Sequence, residues 1–172
     1  IPLVVLTGQV PTSLLGTDSF QEVDITGITH PITKHSYIVK DPRQIPRIVK
    51  EAFHIASTGR PGPVLIDLPR NVLAAPNVIP EPAELNLKSY KYFTKGNAGQ
   101  IEEAARAIAQ AQRPVLYAGG GVITAGASEV LQQLVEATDL PVVTTLMGIG
   151  SLPTNHPNVL GMVGMHGTVA AN

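Results

Sequence analysis

The chain has 172 residues, of which 44% are hydrophobic and only 15% charged, and its formal net charge is −1. Acidic and basic residues are interspersed, which argues against a nucleic-acid-binding surface. The absence of cysteine excludes disulfides and thiolate metal sites, and no apolar run reaches the roughly 20 residues that a membrane span needs. A low charge with many Val, Ile, Leu, Gly and Ala residues is typical of an α/β protein with a covered parallel sheet.

Strand and helix patterns alternate from the first residues of the chain. An apolar strand is predicted at residues 3–6, and it leads into a loop of small, polar and amide residues, TGQVPTSLLGTDSFQE, at residues 7–22. Such a strand-to-loop junction is how α/β proteins present a site at the carboxyl edge of a sheet. A short helix is expected at residues 20–27 with Asp18 as its N-cap, and a short strand at residues 36–39.

A longer helix and a third strand complete the first half. Asp41 and Pro42 are the residue types favoured at an N-cap and at the first helical position. Apolar residues then recur at helical spacing, and the helix is predicted to end near Thr58 with Gly59 just beyond it. The apolar run at residues 63–68 predicts a buried strand. The order strand, helix, strand, helix, strand predicts a parallel sheet with right-handed connections.

A second α/β unit is predicted after a segment whose amino-acid composition differs from that of the first half. Four prolines between residues 69 and 82, followed by scattered lysines and aromatic residues, indicate an extended linker that docks on a neighbouring surface. The capping pair Asn97 and Gln100 then opens a helix. Strands at residues 114–118 and 141–145 flank a helix at residues 128–138. The remainder, residues 146–172, has no clear period, so only two strands are predicted here.

Three polar or glycine-rich clusters follow strand ends in this second unit, and their coincidence favours a cofactor cleft. Gly119-Gly120-Gly121 is predicted as a loop that serves either a phosphate or dinucleotide site or a plain tight turn. Thr124 replaces the third glycine of a GxGxxG fingerprint, which disfavours an ordinary NAD site. The other clusters are TTLMG at residues 144–148 and GMHG at residues 164–167. Each suits a ligand contact, but taken alone TTLMG is more typical of a strand-end cap, and a lone histidine such as His166 is more often a surface or helix-capping residue. No second metal ligand lies at suitable spacing from His166.

The sequence resembles a known family over its whole length. The segments IPLVVLTGQVPTS, STGRPGPVLIDLPRNV, RPVLYAGGGVI and GMVGMHGTVAAN are similar to acetohydroxyacid synthase (acetolactate synthase), the large catalytic subunit of a thiamine-diphosphate enzyme. The resemblance implies the end of a parallel-sheet pyrimidine-binding domain at residues 1–75, a linker at residues 76–96, and the start of a Rossmann-like central FAD-binding domain at residues 97–172. We therefore expect an internal fragment of a longer protein.

The resemblance also implies an FAD site in the second unit. The positions that match the family's flavin contacts are Gly119, Gly120, Gly121, Thr145, Leu146, Met147, Val163, Gly164, Met165 and His166. Arg60, in STGRPGPV, matches an arginine that reaches the FAD, where a guanidinium can bind phosphate or stack on a ring. The alternative for Arg60 is a solvated charge in a turn. In this family FAD undergoes no net redox change and is largely structural.

The loop after the first strand corresponds, by the same resemblance, to the substrate channel. Gln21 and Phe20 match residues near the thiamine and the second keto acid, and the Gln21 amide can both donate and accept hydrogen bonds. From the local sequence alone, Gln21 suits the N-terminus of a helix as well. Pro11, Ser19 and Arg70 match the mouth of the channel, where sulfonylurea-type inhibitors bind. Most relatives have Lys in place of Arg70, which keeps the charge, and often Ala in place of Ser19.

The implied activity is the condensation of pyruvate with pyruvate or 2-ketobutyrate, with loss of CO₂, in branched-chain amino-acid biosynthesis. Thiamine diphosphate, FAD and Mg²⁺ are the implied cofactors. A homodimer or homotetramer, a small regulatory subunit and a bacterial cytoplasm or a plastid are also implied. Alternatives that remain open are a non-catalytic FAD- or nucleotide-binding module, a glyoxylate carboligase and a pyruvate oxidase.

The catalytic parts of that family are incomplete in this chain. The activating glutamate would lie before residue 1, and no Gly-Asp-Gly metal motif occurs. The aspartates are isolated in sequence, and none follows a glycine in that context: Asp18, Asp24, Asp41, Asp67 and Asp139. We therefore expect no carboligase activity, and weak or no FAD binding, from these 172 residues alone.

Overall fold

The computed structural model describes residues 1–76, 85 and 87–172. It divides into two compact units, Ile1–Gly96 and Asn97–Asn172. Each unit contains a three-stranded parallel sheet, which confirms the α/β class. Much of the predicted linker, including Pro80 and Pro82, lies outside the described residues. Within the described ranges, no helix has both the length and the apolar character needed to cross a membrane.

The first unit is a parallel sheet in the order β1-β3-β2. Its strands are β1 (Leu3–Gln9), β2 (His35–Ile38) and β3 (Pro63–Pro69). Its helices are α1 (Ile25–Thr29), α2 (Ile45–Ser57) and α3 (Arg70–Leu73), with short 3-10 helices at Thr12–Leu14, His30–Ile32 and Pro42–Gln44. Gln9 lies opposite Pro69 and Ile38 opposite Asp67. All three strands therefore end at the same edge of the sheet.

The core of the first unit lies between α2 and the sheet. Ile48, Ala52 and Ile55 of α2 are buried in one cluster with Val64 and Ile66 of β3. Burying an aliphatic side chain of this size contributes about 1.5–3 kcal/mol each. The predicted end of the helix is confirmed, since the chain leaves α2 through Gly59 at φ +59°. Its start is shifted: the Asp41 side chain caps a 3-10 turn at Pro42–Gln44, and α2 itself begins at Ile45.

Two predictions in the first unit are corrected, one in its length and one in its position. The strand predicted at residues 3–6 continues to Gln9, because its last three residues pair with the end of β3. No helix starts near Asp18; α1 begins at Ile25, and the Asp24 side chain caps it by accepting from the Gly27 amide at 3.0 Å. Asp18 and Gln21 have φ values of +56° and +69°, which no right-handed helix accommodates. The helix-terminus interpretation of Gln21 is therefore excluded.

The second unit is a parallel sheet in the order β4-β5-β6. Its strands are β4 (Leu116–Ala118), β5 (Val142–Thr144) and β6 (Val159–Met162), and its helices are α4 (Ala98–Gln110), α5 (Gly120–Thr124) and α6 (Ser128–Thr138). Ala118 pairs with Thr144, and Thr144 with Met162, at the ends of the strands. The predicted cap of α4 is confirmed, since the Asn97 side chain accepts from the Gln100 amide at 3.2 Å. The prediction of α6 is confirmed at both ends.

Two predictions in the second unit are corrected. The sheet has a third strand, β6, where no periodic element was expected. Its pairing with β5 shifts register between Val142 and Val143, and Gly161 has φ +113°. An irregular strand of this kind leaves no clean alternation in the sequence. The glycine cluster is also not simply a loop: Gly119 is the N-cap residue and Gly120 already begins α5.

Candidate functional site

A long loop lies at the carboxyl edge of the first sheet, between the end of β1 and the start of α1. We call residues 10–24 the edge loop. It carries four of the sequence-predicted channel residues: Pro11, Ser19, Phe20 and Gln21. The Phe20 side chain is 90% exposed, and Gln21 is exposed beside it. The two residues matched to the substrate channel therefore stand on the open side of the loop.

Gln9, the last residue of β1, fastens both ends of the edge loop. Its side-chain Oε1 accepts from the Val10 amide at 2.9 Å, and its Nε2 donates to the Val23 carbonyl at 2.8 Å. The same Nε2 donates to Asp67 Oδ2 at 3.0 Å. Asp67 is fully buried in β3, and its other oxygen accepts from Thr7 Oγ1 at 2.7 Å. One buried carboxylate thus anchors the amide that closes the loop.

Glu22 organises the interior of the edge loop. Its carboxylate accepts hydrogen bonds from the backbone amides of Gly16, Thr17 and Ser19, the last two at 3.2 Å. The Gly16 bond, followed by those of Ser19 and Thr17, outweighs desolvation and holds the pKa of Glu22 below its usual value. A charged acceptor shared by several amides fixes the turn that presents Phe20.

The channel-mouth candidates come together at the same edge. The Thr12 amide donates to Asn71 Oδ1 at 2.9 Å, and Asn71 Nδ2 donates back to Thr12 Oγ1 at 3.0 Å. Pro11 and Arg70 are the residues just before these two partners, so both lie at this edge of the sheet. The Ser19 hydroxyl oxygen is enclosed and has no hydrogen-bond partner in the part of the chain that the structure describes.

A cavity of about 410 Å³ opens beneath the edge loop. Its polar lining comes from Gln9, Glu22, Asp24, Thr26, Lys40 and Asp67. Each of the three carboxylates already accepts hydrogen bonds from the chain itself. Among the described residues, no three His, Asp or Glu side chains are arranged to hold a metal ion. The lining thus combines these fixed polar atoms with apolar side chains, among them Leu15, Val23 and Ile25.

Arg60 lies away from these residues. It is exposed in the turn between α2 and β3, next to Gly59. This turn precedes β3, whereas the edge loop and Arg70 lie where the strands end. The structure therefore does not bring Arg60 together with the channel residues.

The three clusters of the second unit meet at the carboxyl edge of its sheet. The Thr145 amide donates to the Ala118 carbonyl at 3.0 Å, and the Val163 amide donates to the Thr144 carbonyl at 3.0 Å. A side chain at Gly120 would place its Cβ 2.9 Å from the Cβ of Met147, so only glycine lets α5 approach the turn at Leu146–Gly148. The predicted clusters thus form one continuous surface.

The loop after β6 forms the third part of that surface. The Gly167 amide donates to the Gly164 carbonyl at 2.8 Å, and the Asn172 side chain both accepts from the Gly164 amide and donates to its carbonyl. Gly164 has φ +116°, a conformation that favours glycine. The loop so formed presents Met165, 92% exposed, and the exposed His166.

Several residues that shape these sites were missed from the sequence. Gln9 and Asn71 were unassigned, Glu22 was noted only within its segment, and Asp67 was treated as an isolated aspartate. One signal was present: a carboxylate within the apolar strand VLIDLP is expected to have partners, because an unpaired buried charge is costly. The partners themselves, Thr7 and Gln9, follow from the parallel register and are not visible in the local sequence.

Comparison with known proteins gives consistent matches in both units. Residues 101–172 match the family described as the central domain of thiamine pyrophosphate enzymes. The chain is 51% identical to the acetolactate synthase isozyme 3 large subunit of Escherichia coli over its whole length. It is 54% identical to an acetolactate synthase of Mycobacterium bovis and 55% to a probable acetolactate synthase large subunit of Methanocaldococcus jannaschii, each over 99% of the chain.

The chain covers only part of these relatives. It spans 30%, 28% and 29% of their respective lengths. Identity of about one half that extends through both units shows common ancestry, so the chain is a homologue of acetolactate synthase large subunits within the thiamine pyrophosphate enzymes.

Proposed function

We propose that this chain, as a homologue of acetolactate synthase large subunits, is part of an enzyme that condenses two 2-keto acids with loss of CO₂. Pyruvate is the proposed donor, and pyruvate or 2-ketobutyrate the acceptor, in branched-chain amino-acid biosynthesis. The observation that carries the proposal is the identity of about one half along the whole chain, which includes the edge loop. When bound, thiamine diphosphate supplies the nucleophilic carbon and electron sink for this chemistry.

The proposed role of the edge loop is to orient the keto acids. The Gln21 amide offers a donor to a carboxylate or carbonyl oxygen and an acceptor to a hydroxyl, while Phe20 supplies an apolar wall that excludes water. Pro11, Ser19 and Arg70 border the entrance, where the Arg70 guanidinium attracts anionic substrates. The hydrogen-bonded loop interior supports this role, because positioning requires a side chain whose backbone is fixed.

The proposed role of the second unit is to hold FAD. Exposed apolar side chains at the strand ends, among them Leu146, Met147 and Met165, suit a flat ring system. A side chain built at Gly121 would meet nothing within 4 Å, which leaves room for a ligand against the backbone. Arg60 remains a candidate flavin contact.

Further features of the proposal concern the whole protein. We propose a homodimer or homotetramer, a small regulatory subunit, and a bacterial cytoplasm or a plastid as the location. Mg²⁺ is expected to accompany the cofactor diphosphate, but the described residues offer no cluster of metal ligands. The proposal therefore assigns no Mg²⁺ ligand within this chain.

The test is an assay of the full-length protein that contains this chain. With pyruvate, thiamine diphosphate and Mg²⁺, we expect acetolactate, and we expect Gln21→Ala to lower kcat/KM by roughly 10- to 100-fold. Gln112→Ala, an exposed amide away from both sites, is the matched control and should retain full activity. Tartronate semialdehyde from glyoxylate, or acetyl phosphate from pyruvate, would assign the chain to another thiamine-dependent reaction.

The FAD part of the proposal has a separate readout. Gly121→Val fills space that no protein atom occupies, so we expect the variant to keep its melting temperature and lose bound flavin absorbance. Flavin content equal to that of the wild type would refute the assignment of this edge to FAD. Bound FAD without acetolactate formation would instead favour the non-catalytic flavin-binding module.

A further inference from the structure

We propose that Gln9 is a positioning residue for the condensation: its side-chain amide closes the edge loop and thereby sets the place of Phe20 and Gln21. This inference rests on the proposed function of the loop. Gln9 itself is the final residue of β1 and belongs to the sheet, so it connects the rigid part of the first unit to the part that would contact substrate.

The hydrogen bonds of Gln9 reach both ends of the edge loop. Its Oε1 accepts from the amide of Val10, the first loop residue, and its Nε2 donates to the carbonyl of Val23, close to the last. Both polar atoms of one side chain are therefore used to hold together two points that are 13 residues apart in sequence. Closing a loop of this length removes conformational freedom that the chain would otherwise retain.

Asp67 gives this closure a fixed reference point. The carboxylate is fully buried in β3, the central strand of the sheet, and it accepts from Gln9 Nε2 and from Thr7 Oγ1. A hydrogen bond to a charged acceptor is stronger than one between neutral groups. The sheet thus fixes the position of the Gln9 amide, and the bond from that amide to the Val23 carbonyl fixes the end of the edge loop.

The interior of the loop makes this arrangement effective. The Glu22 carboxylate already ties residues 16–19 together through backbone amides. Without Gln9 this part would keep its internal bonds, and Thr12 would stay bonded to Asn71, but the end of the loop at Val23 would lose its bond to the sheet. Phe20 and Gln21 would then be displaced together, and a displacement of about 1 Å at a reacting group costs up to about 100-fold in rate.

The experiment compares two substitutions that each remove one hydrogen bond to Asp67 in the full-length protein. Gln9→Met keeps side-chain length and removes all three Gln9 bonds, including the two to the edge loop. Thr7→Val removes only the 2.7 Å bond to Asp67, and the Thr7 side chain has no bond to the edge loop. The measurements are melting temperature, amide hydrogen exchange of the edge loop, and kcat and KM for each keto acid.

We expect both variants to lower the melting temperature to a similar degree. Only Gln9→Met should raise hydrogen exchange at residues 10–24 by about 10-fold and lower kcat/KM by roughly 10- to 100-fold, whereas Thr7→Val stays within about twofold of wild type. Gln9→Asn, too short to reach Val23, should resemble Gln9→Met. Equal kinetic losses in Gln9→Met and Thr7→Val, or unchanged exchange in Gln9→Met, would overturn the inference. If the wild-type protein makes no acetolactate, the proposed function fails, and the exchange comparison alone still tests the closure of the loop by Gln9.

Discussion

Glu22 and Gln9 order the edge loop by different means. Glu22 is a charged acceptor whose partners are backbone amides within the loop, so its effect depends on its ionisation. Gln9 is uncharged, and it connects the ends of the loop to the buried Asp67. Protonation of Glu22 should therefore loosen the inside of the loop, while the Gln9 bonds to Val10 and Val23, which join uncharged groups, remain. The pH dependence of amide protection therefore reports on Glu22.

The prediction for Glu22 concerns the pH dependence of the loop. Its pKa is lowered in the folded state, chiefly by the Gly16 amide, relative to about 4.3 in an unfolded chain. A depressed carboxyl pKa stabilises the folded loop above the unfolded value, and this contribution is lost as pH falls through the folded pKa. We expect the protection factors of the Thr17 and Ser19 amides to fall below about pH 4 in the wild type.

The Glu22→Gln variant carries the control for that measurement. A neutral amide oxygen is a weaker acceptor than a carboxylate, so protection of these amides should be roughly two- to tenfold lower at neutral pH and should not change over the acidic range, below about pH 4, in which the wild type loses protection. Glu129→Gln, at an exposed position in the first turn of α6, should leave the edge loop unchanged. A pH-independent wild type would contradict the role assigned to the Glu22 charge.

At the scale of elements, Tyr90 attaches the segment after the first unit's last helix to the end of α2. The Lys34 ammonium donates to the Tyr90 hydroxyl at 3.0 Å, and that hydroxyl donates to the Thr58 carbonyl at 2.9 Å. Lys34 also donates to the Thr58 carbonyl, at 2.8 Å. The ring packs against the α2 core and meets His54 edge-on at 6.0 Å. The orphan carbonyls of the helix end are thus satisfied by two side chains.

We predict that Tyr90→Phe lowers the stability of the first unit by about 1 kcal/mol, because it removes the hydroxyl and keeps the ring packing. For a unit of this size that corresponds to a fall in melting temperature of about 4–8 °C. Tyr92→Phe is the matched control, since the Tyr92 hydroxyl has no hydrogen-bond partner among the residues that the structure describes. Equal melting temperatures for Tyr90→Phe and the wild type would show that the hydroxyl contributes nothing net.

The sequence predicted elements well where local signals and tertiary packing agree. α2 has a periodic apolar face and a glycine exit and follows a 3-10 turn capped by Asp41, and α6 has a similarly clear pattern, so both helices were found. Prediction from the sequence failed where a contact between residues distant in the chain determines the conformation. β6 exists because it pairs with β5, and the edge loop turns through positive φ at Gln21 because Glu22 gathers amides from residues 16–19. Neither interaction produces a periodic pattern of apolar residues in the sequence.

The same distinction applies to the candidate sites. Residue types placed Gly119 and Thr145 after predicted strand ends, and a parallel sheet necessarily brings such positions to one edge. Gly164 lies at the same edge because it follows β6, a strand that was not predicted. By contrast, the contact between Gln9 and Asp67 depends on the register of β1 against β3. A register is a tertiary property, so the position of polar residues at a sheet edge was predictable from the sequence, and the contacts that hold them there were not.

At the scale of the whole molecule, both units leave large apolar side chains in contact with solvent. Leu6 of β1 is 61% exposed in the first unit, and Val115 and Tyr117 are 55% and 64% exposed beside or within β4. α4 has an apolar stripe with no buried residue at all. Exposed apolar area of this extent promotes association, and the curated relatives are more than three times as long as this chain.

The final prediction follows from that exposure and from the chemistry the 172 residues contain. We expect the chain by itself to self-associate, to form no acetolactate, and to bind FAD weakly or not at all, whereas the full-length protein is active and yellow. The physical reason is that the sequence has no Gly-Asp-Gly motif and that, in the part of the chain that the structure describes, no three His, Asp or Glu side chains could hold a metal ion. The described residues therefore offer no cation site for the cofactor diphosphate. Light scattering after gel filtration, flavin absorbance and an acetolactate assay measure the three properties on one sample. A monomeric chain that forms acetolactate from pyruvate would contradict this prediction. It would show that these 172 residues suffice for catalysis, including the activation of the cofactor that we attribute to the rest of the protein.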